Sequence, residues 1–224
     1  MSSIFNVEKM LEFFNTIFYF LMTNLLFLIF NLPLLWFIFF VGISRIETYL
    51  PLFLVCLIPT GPALVALLYS MRQYVAYKDT TVWIPWMKSY KTNFKTALPL
   101  TLIQLSAIFI LICNIQIFSS IYPILGLRIF FTLLTAILIL SIPYAYLLIM
   151  RFHVSTLGAL KSSLALVFTY PVLSVCNVML FLFVLMLFEL SAGTTFLFIS
   201  TIYAFCVVIS NRLVLKKLEV KVAC

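Results

Sequence analysis

The chain has 224 residues, 65% of them hydrophobic and only 9% charged, with a formal net charge of +8. A water-soluble domain carries about a quarter charged residues, so the polar groups needed to cover a solvent-facing surface are missing. The basic residues stand at the ends of apolar runs rather than on one shared face, which argues for membrane topology and against a nucleic-acid partner.

The opening stretch MSSIFNVEKMLEFF carries Glu8, Lys9 and Glu12 ahead of a long apolar run. A cleavable signal has a basic lead and a shorter core, so this stretch reads as a retained first helix. Six spans are expected, at about 17–42, 50–76, 97–118, 129–150, 164–188 and 193–210, from runs long enough to cross a bilayer. Lys9, the connection holding Arg72 to Lys95, the connection holding Arg151 and Lys161, and the segment from Arg212 to Lys221 alternate with the other connections. Together they carry 12 of the 14 positive charges, leaving Arg45 and Arg128 opposite. That asymmetry places both termini on the cytoplasmic side.

The second span contains IPTGPAL, where Pro59, Gly61 and Pro62 break any regular helix. Pro62 is able to start a fresh helix at little cost, because an N-terminal N–H has no intrahelical partner. The break marks either an outer-leaflet piece leading into the true span or a discontinuous helix whose free N–H groups meet a solute. Further on, TVWIPWMKSYKTNFKTA puts Trp83, Trp86, Tyr90 and Phe94 on one helical face and Lys88, Lys91 and Lys95 on an adjoining one. This predicts an amphipathic helix near 81–96 lying in the headgroup layer, and the same residues suit a docking surface for another protein. The stretches GPALVALLYSMRQYV and PYAYLLIMRFHV echo each other, each ending in Met-Arg, any one residue, an aromatic or His, and Val.

Catalytic chemistry is hard to find. The six acids (Glu8, Glu12, Glu47, Asp79, Glu189 and Glu219) sit at or near span ends, and His153 is the one histidine. Metal sites need several ligands, and nucleophile or phosphate-binding motifs are missing, so no enzyme, metal or cofactor is expected. Four cysteines lie in apolar runs without CxxC spacing and read as small hydrophobes. The amides Asn24, Asn31, Gln104, Asn114, Gln116 and Asn177 suit hydrogen bonds between helices, or the polar lining of a path for an uncharged solute.

At TNLLFLIFNLP, GPALVALLYSMRQYV and KDTTVWIPWMKSYKTNFKTAL, and again at YLLIMRFHVSTLGALKSSLALVFTYP, the chain resembles the YesL family, bacterial membrane proteins classed as a domain of unknown function. These blocks cover most of residues 23–171; AYKD stands where relatives commonly carry a glycine. The resemblance implies a bacterial plasma membrane. Family genes tend to lie beside those of carbohydrate ABC transporters and glycan-processing enzymes, which implies a role near sugar uptake. It brings no catalytic or substrate-binding residues.

The expectation is therefore an all-α polytopic bundle, a single integral membrane domain over residues 1–224 with the second span broken near 59–62. Its expected role is that of an accessory protein of carbohydrate uptake or cell-envelope metabolism, acting through membrane lipids and a membrane partner such as an ABC transporter permease. The candidate contact residues are Arg72, Trp83, Trp86, Tyr90, Asn93, Arg151 and His153. The alternative is a small permease for a neutral solute, with Asn24, Asn31, Pro59, Gly61 and Pro62 facing it.

Overall fold

The computed structural model describes residues 2–78, 81–121, 124–152, 154–190 and 196–223; side chains are described for these except 2–6, 121, 188–190 and 220–223. All regular structure among the described residues is helical: α1 (Ser2–Phe30), α2 (Leu32–Phe40), a short turn of 3-10 helix (Ile43–Arg45), α3 (Leu50–Cys56), α4 (Thr60–Tyr77), α5 (Trp83–Gln116) continuing into a π-helical turn (Ile117–Ile121), α6 (Leu125–Phe152), α7 (Thr156–Thr169), α8 (Pro171–Leu190), α9 (Ile199–Ser210) and α10 (Arg212–Ala223). By length and composition, three stretches suffice to cross a membrane: Val7–Phe30, Trp83–Ser120 and Leu125–Phe152. Three bent pairs, α3 with α4, α7 with α8 and α9 with α10, raise the number to six if each pair counts as one span.

The proline-rich break falls where the residues dictate. Helix α3 ends at Cys56, Leu57 to Pro59 form a turn, and α4 starts at Thr60 with the two axes bent by 41°. Pro62 sits in the first turn of α4, where its missing N–H costs nothing.

Elsewhere the structure departs from the predicted spans, each time for a local reason. The first run is not one helix over 17–42: it breaks at Asn31, because Pro33 in the first turn of α2 cannot donate to the α1 ladder. The predicted interfacial helix near 81–96 is not a separate element. It is the first part of α5, a continuous 34-residue helix in which Pro99 removes one backbone bond without ending the helix. At 1.5 Å per residue α5 is about 50 Å long, well beyond a hydrocarbon core of about 30 Å, so part of it lies outside that core. The run expected as a straight span over 164–188 turns through 103° between Thr169 and Pro171. Pro171 opens α8, and the preceding Tyr170 is pushed out of helical geometry to φ −128°, ψ 63°.

Helix α4 is the hub. It packs against α5, α6, α9 and α1 and buries Ala63, Val65, Leu67, Leu68 and Met71 completely or nearly so. The second half of α6 is just as enclosed, from Pro143 to Met150, whereas its first half is largely exposed. Exposed side chains such as Phe39, Phe40, Phe168 and Val172 give the bundle an apolar exterior suited to lipid. Because lipid tails are as apolar as leucine, packing and interhelical hydrogen bonds hold such a bundle together rather than transfer from water.

Candidate functional site

Among the described residues, the candidate polar groups gather at the helix breaks and on the second halves of α4 and α6; elsewhere the Asn211 NH2 donates to the Asn177 side-chain oxygen at 2.8 Å, a buried bond between α8 and the turn before α10. At the breaks, the Asn31 side-chain NH2 donates to the Phe27 carbonyl at 2.8 Å, repairing the end of α1. Its carbonyl oxygen accepts from the Thr60 hydroxyl at 2.7 Å. The break in the first run is thus bonded to the break in the second. One residue on, Gly61 lies so close to α5 that a Cβ there would sit 1.7 Å from Thr101 Oγ1 and 2.9 Å from Thr101 Cβ. Thr101 in turn donates to the Ala97 carbonyl at 2.8 Å and lies 3.0 Å from the Tyr146 hydroxyl of α6.

Asn24 performs a similar repair across the bundle. Its oxygen accepts from the Ser200 N–H at 3.1 Å, and its NH2 donates to the Phe196 carbonyl at 3.0 Å. It therefore caps the start of α9 from α1, satisfying an N–H that a helix leaves free in its first turn. The Thr201 hydroxyl donates to the Phe20 carbonyl at 3.1 Å and reinforces the same junction.

Of the five candidate solute-facing residues, Asn31, Pro59, Gly61 and Pro62 come together around Thr60, while Asn24 serves α9. Asn24, Asn31, Gly61 and Pro62 are buried, and Pro59 is half-buried. A groove of about 340 Å³ between α3 and α5 touches the break only at Ile58; it is lined by Leu54, Val55, Leu102 and Phe109. It is apolar, and the buried amides do not line it.

The candidate contact residues divide by exposure. Trp83 is 60% exposed at the start of α5, beside Ile84 and near Tyr77 in sequence, both also exposed. Trp86 is fully buried: its ring stacks on Tyr90 at 5.5 Å, and both rings pack on Phe30 of α1. Asn93 is buried and bonds back to Ser89 at 3.0 Å. The aromatic face read from the sequence is real, but α1 and α4 cover its middle, Trp86 and Tyr90, while Trp83 and Phe94 stay exposed. Lys88, Lys91 and Lys95 remain exposed.

Arg72, in the second half of α4, and Arg151, in the last turn of α6, are half-buried, and Arg151 forms an ion pair with Glu219 of α10. His153 lies outside the described residues. Thr60, Thr101, Tyr146 and Glu219 were missed by sequence reasoning. Thr60 lies inside the quoted break and Glu219 is the single acid of a basic stretch, but Thr101 and Tyr146 carry no local signal. Among the described residues no three His, Cys, Asp or Glu side chains gather as metal ligands.

The break at Asn31, the break before Thr60 and the aromatic cluster around Trp86 all fall within one stretch of known kind. Residues 20–115 match the model of DUF624, a protein family of unknown function. The resemblance to a family of unknown function drawn from the sequence is thereby borne out over that stretch. The DUF624 match takes in the Asn31–Thr60 bond, Gly61 with Thr101, Arg72 and Trp86; Arg151, His153 and Glu219 lie beyond it. No curated protein and no solved structure matches the chain.

Proposed function

We propose that this protein is an accessory membrane component that works by contact with a membrane partner, the permease of a carbohydrate ABC transporter being the leading candidate. One observation carries the contact half of this reading. Asn24, Asn31 and Thr60 use their polar groups within the bundle, while Tyr77, Trp83 and Ile84 stand 75%, 60% and 74% exposed, with Lys88 and Lys91 exposed on the same helix as the last two. Aromatic and aliphatic side chains flanked by cations at a membrane surface suit a partner whose own surface joins lipid-facing and polar parts.

The carbohydrate half rests on the family resemblance alone. In this reading the chain crosses a bacterial plasma membrane six times, with each bent helix pair forming one span and both termini cytoplasmic. The distribution of Lys and Arg supports that topology. A permease would need its polar groups turned toward a path, whereas Asn31, Thr60, Thr101 and Tyr146 are satisfied within the bundle.

Affinity purification from native membranes at endogenous expression tests the proposal. Recovery of a sugar-transporter permease that is lost in Trp83→Ala and Ile84→Ala is the expected result. Recovery of no permease or envelope partner by the wild type rejects it.

A further inference from the structure

The Met-Arg echo between α4 and α6 has a structural counterpart. Met71 and Met150 are buried in the same core cluster, together with Leu215 of α10, so the arginines that follow them come to one end of the bundle. Arg151 pairs with Glu219 through Nη2, while its buried Nε has no partner. Glu219 pairs directly with Arg151 alone, and lies within electrostatic reach of Arg72 and of Lys216 on its own helix. Arg72 is near enough to Arg151 for the two charges to act on each other.

We propose that Arg72 and Arg151 form a binding site for a phosphate group, and that Glu219 of α10 occupies it as an intramolecular stand-in. Guanidinium forks bind phosphate through paired N–H bonds, and a phosphate offers more acceptor oxygens than one carboxylate. The buried, unpartnered Nε of Arg151 is the donor that the carboxylate leaves unused. Helix α10 is otherwise held by Val214 and Leu218, clustered with residues of α6 and α7, and by Leu215 in the central core. An incoming phosphate displaces Glu219 and loosens α10 from the bundle. The phosphate comes either from an anionic lipid headgroup at the membrane surface or from a small dissolved anion.

The experiment uses the full chain in nanodiscs and follows backbone hydrogen exchange over residues 212–219. In pure phosphatidylcholine discs, inorganic phosphate is titrated; in a second arm, phosphatidylglycerol replaces part of the lipid. Several-fold faster exchange in the phosphatidylglycerol arm alone assigns the site to a headgroup, and in the phosphate arm alone to a free anion. Glu219→Gln is expected to show fast exchange without any anion and to bind the active anion several-fold more tightly. The pair Arg72→Lys with Arg151→Lys keeps the charge, removes the forks, and is expected to lose most of the response. No change in wild-type exchange in either arm overturns the proposal. So does a Lys pair that responds like the wild type, or a Glu219→Gln variant with unchanged affinity.

Discussion

The Thr60 hydroxyl donates to the Asn31 side-chain oxygen at 2.7 Å, joining two helix interruptions that lie 29 residues apart in the chain. Each interruption alone leaves backbone groups free of intrahelical partners; together they form one buried polar junction. Interhelical bonds of this kind are worth about 0.6–1.7 kcal/mol in membrane bundles. A double-mutant cycle of Asn31→Ala and Thr60→Val, read by unfolding in mild detergent, is expected to give a coupling energy in that range. A coupling of zero would mean that the two breaks do not support each other.

Gly61 and Gly126 make a controlled comparison. A Cβ at Gly61 would collide with Thr101, including its Cβ, whereas a Cβ at Gly126 meets nothing within 4 Å. Gly61→Ala should destabilise by about 1–3 kcal/mol, the usual cost of overpacking. Gly126→Ala should be neutral or slightly stabilising, because alanine is the better helix former. Thermal denaturation of the two variants side by side checks this.

Asn24 is expected to behave as a cap rather than a ligand. Asn24→Leu leaves the Ser200 N–H and the Phe196 carbonyl without their partner, at about 1–3 kcal/mol for each buried group left unsatisfied. Hydrogen exchange at the Ser200 amide should speed up markedly while amides in the middle of α4 stay protected. Unchanged exchange at Ser200 would remove Asn24 from this role.

How much of this was readable beforehand follows from the range of each interaction. The break at Pro59, Gly61 and Pro62 is a property of local backbone chemistry and is plain in the sequence. The bend before Pro171 is local too, and Tyr170-Pro171 announces it, but the uniformly apolar surroundings of 164–188 favour reading one straight span. Periodicity correctly groups Trp86, Tyr90 and Phe94 on one face of α5. It is silent about whether lipid or Phe30 of α1 covers that face, because the covering residue is more than 50 positions away. Asn31 and Thr60 were each visible as polar residues in apolar runs. Their bond, like that between Thr101 and Tyr146, depends on how helices cross, which no local pattern encodes.

Trp83 and Trp86, three residues apart, are expected to respond in opposite ways to the same substitution. Trp86→Ala opens a cavity between α1, α4 and α5 and should cost about 3–5 kcal/mol. Trp83→Ala removes an exposed ring and should change stability by less than about 0.5 kcal/mol. Denaturation measurements separate the two, and they decide which variant is a fair probe of partner binding. Loss of a partner in Trp86→Ala would report a damaged fold; loss in Trp83→Ala would report a damaged surface.

The most direct test of the central claim, that this protein acts by surface contact, is photocrosslinking in native membranes. A photoreactive amino acid is placed in turn at Trp83, Ile84 and Trp86, and adducts are identified by mass spectrometry. Adducts to a carbohydrate-transporter permease from positions 83 and 84, with none from the buried position 86, are the predicted result. An intact, correctly inserted protein that gives no protein adduct from position 83 or 84 would contradict it.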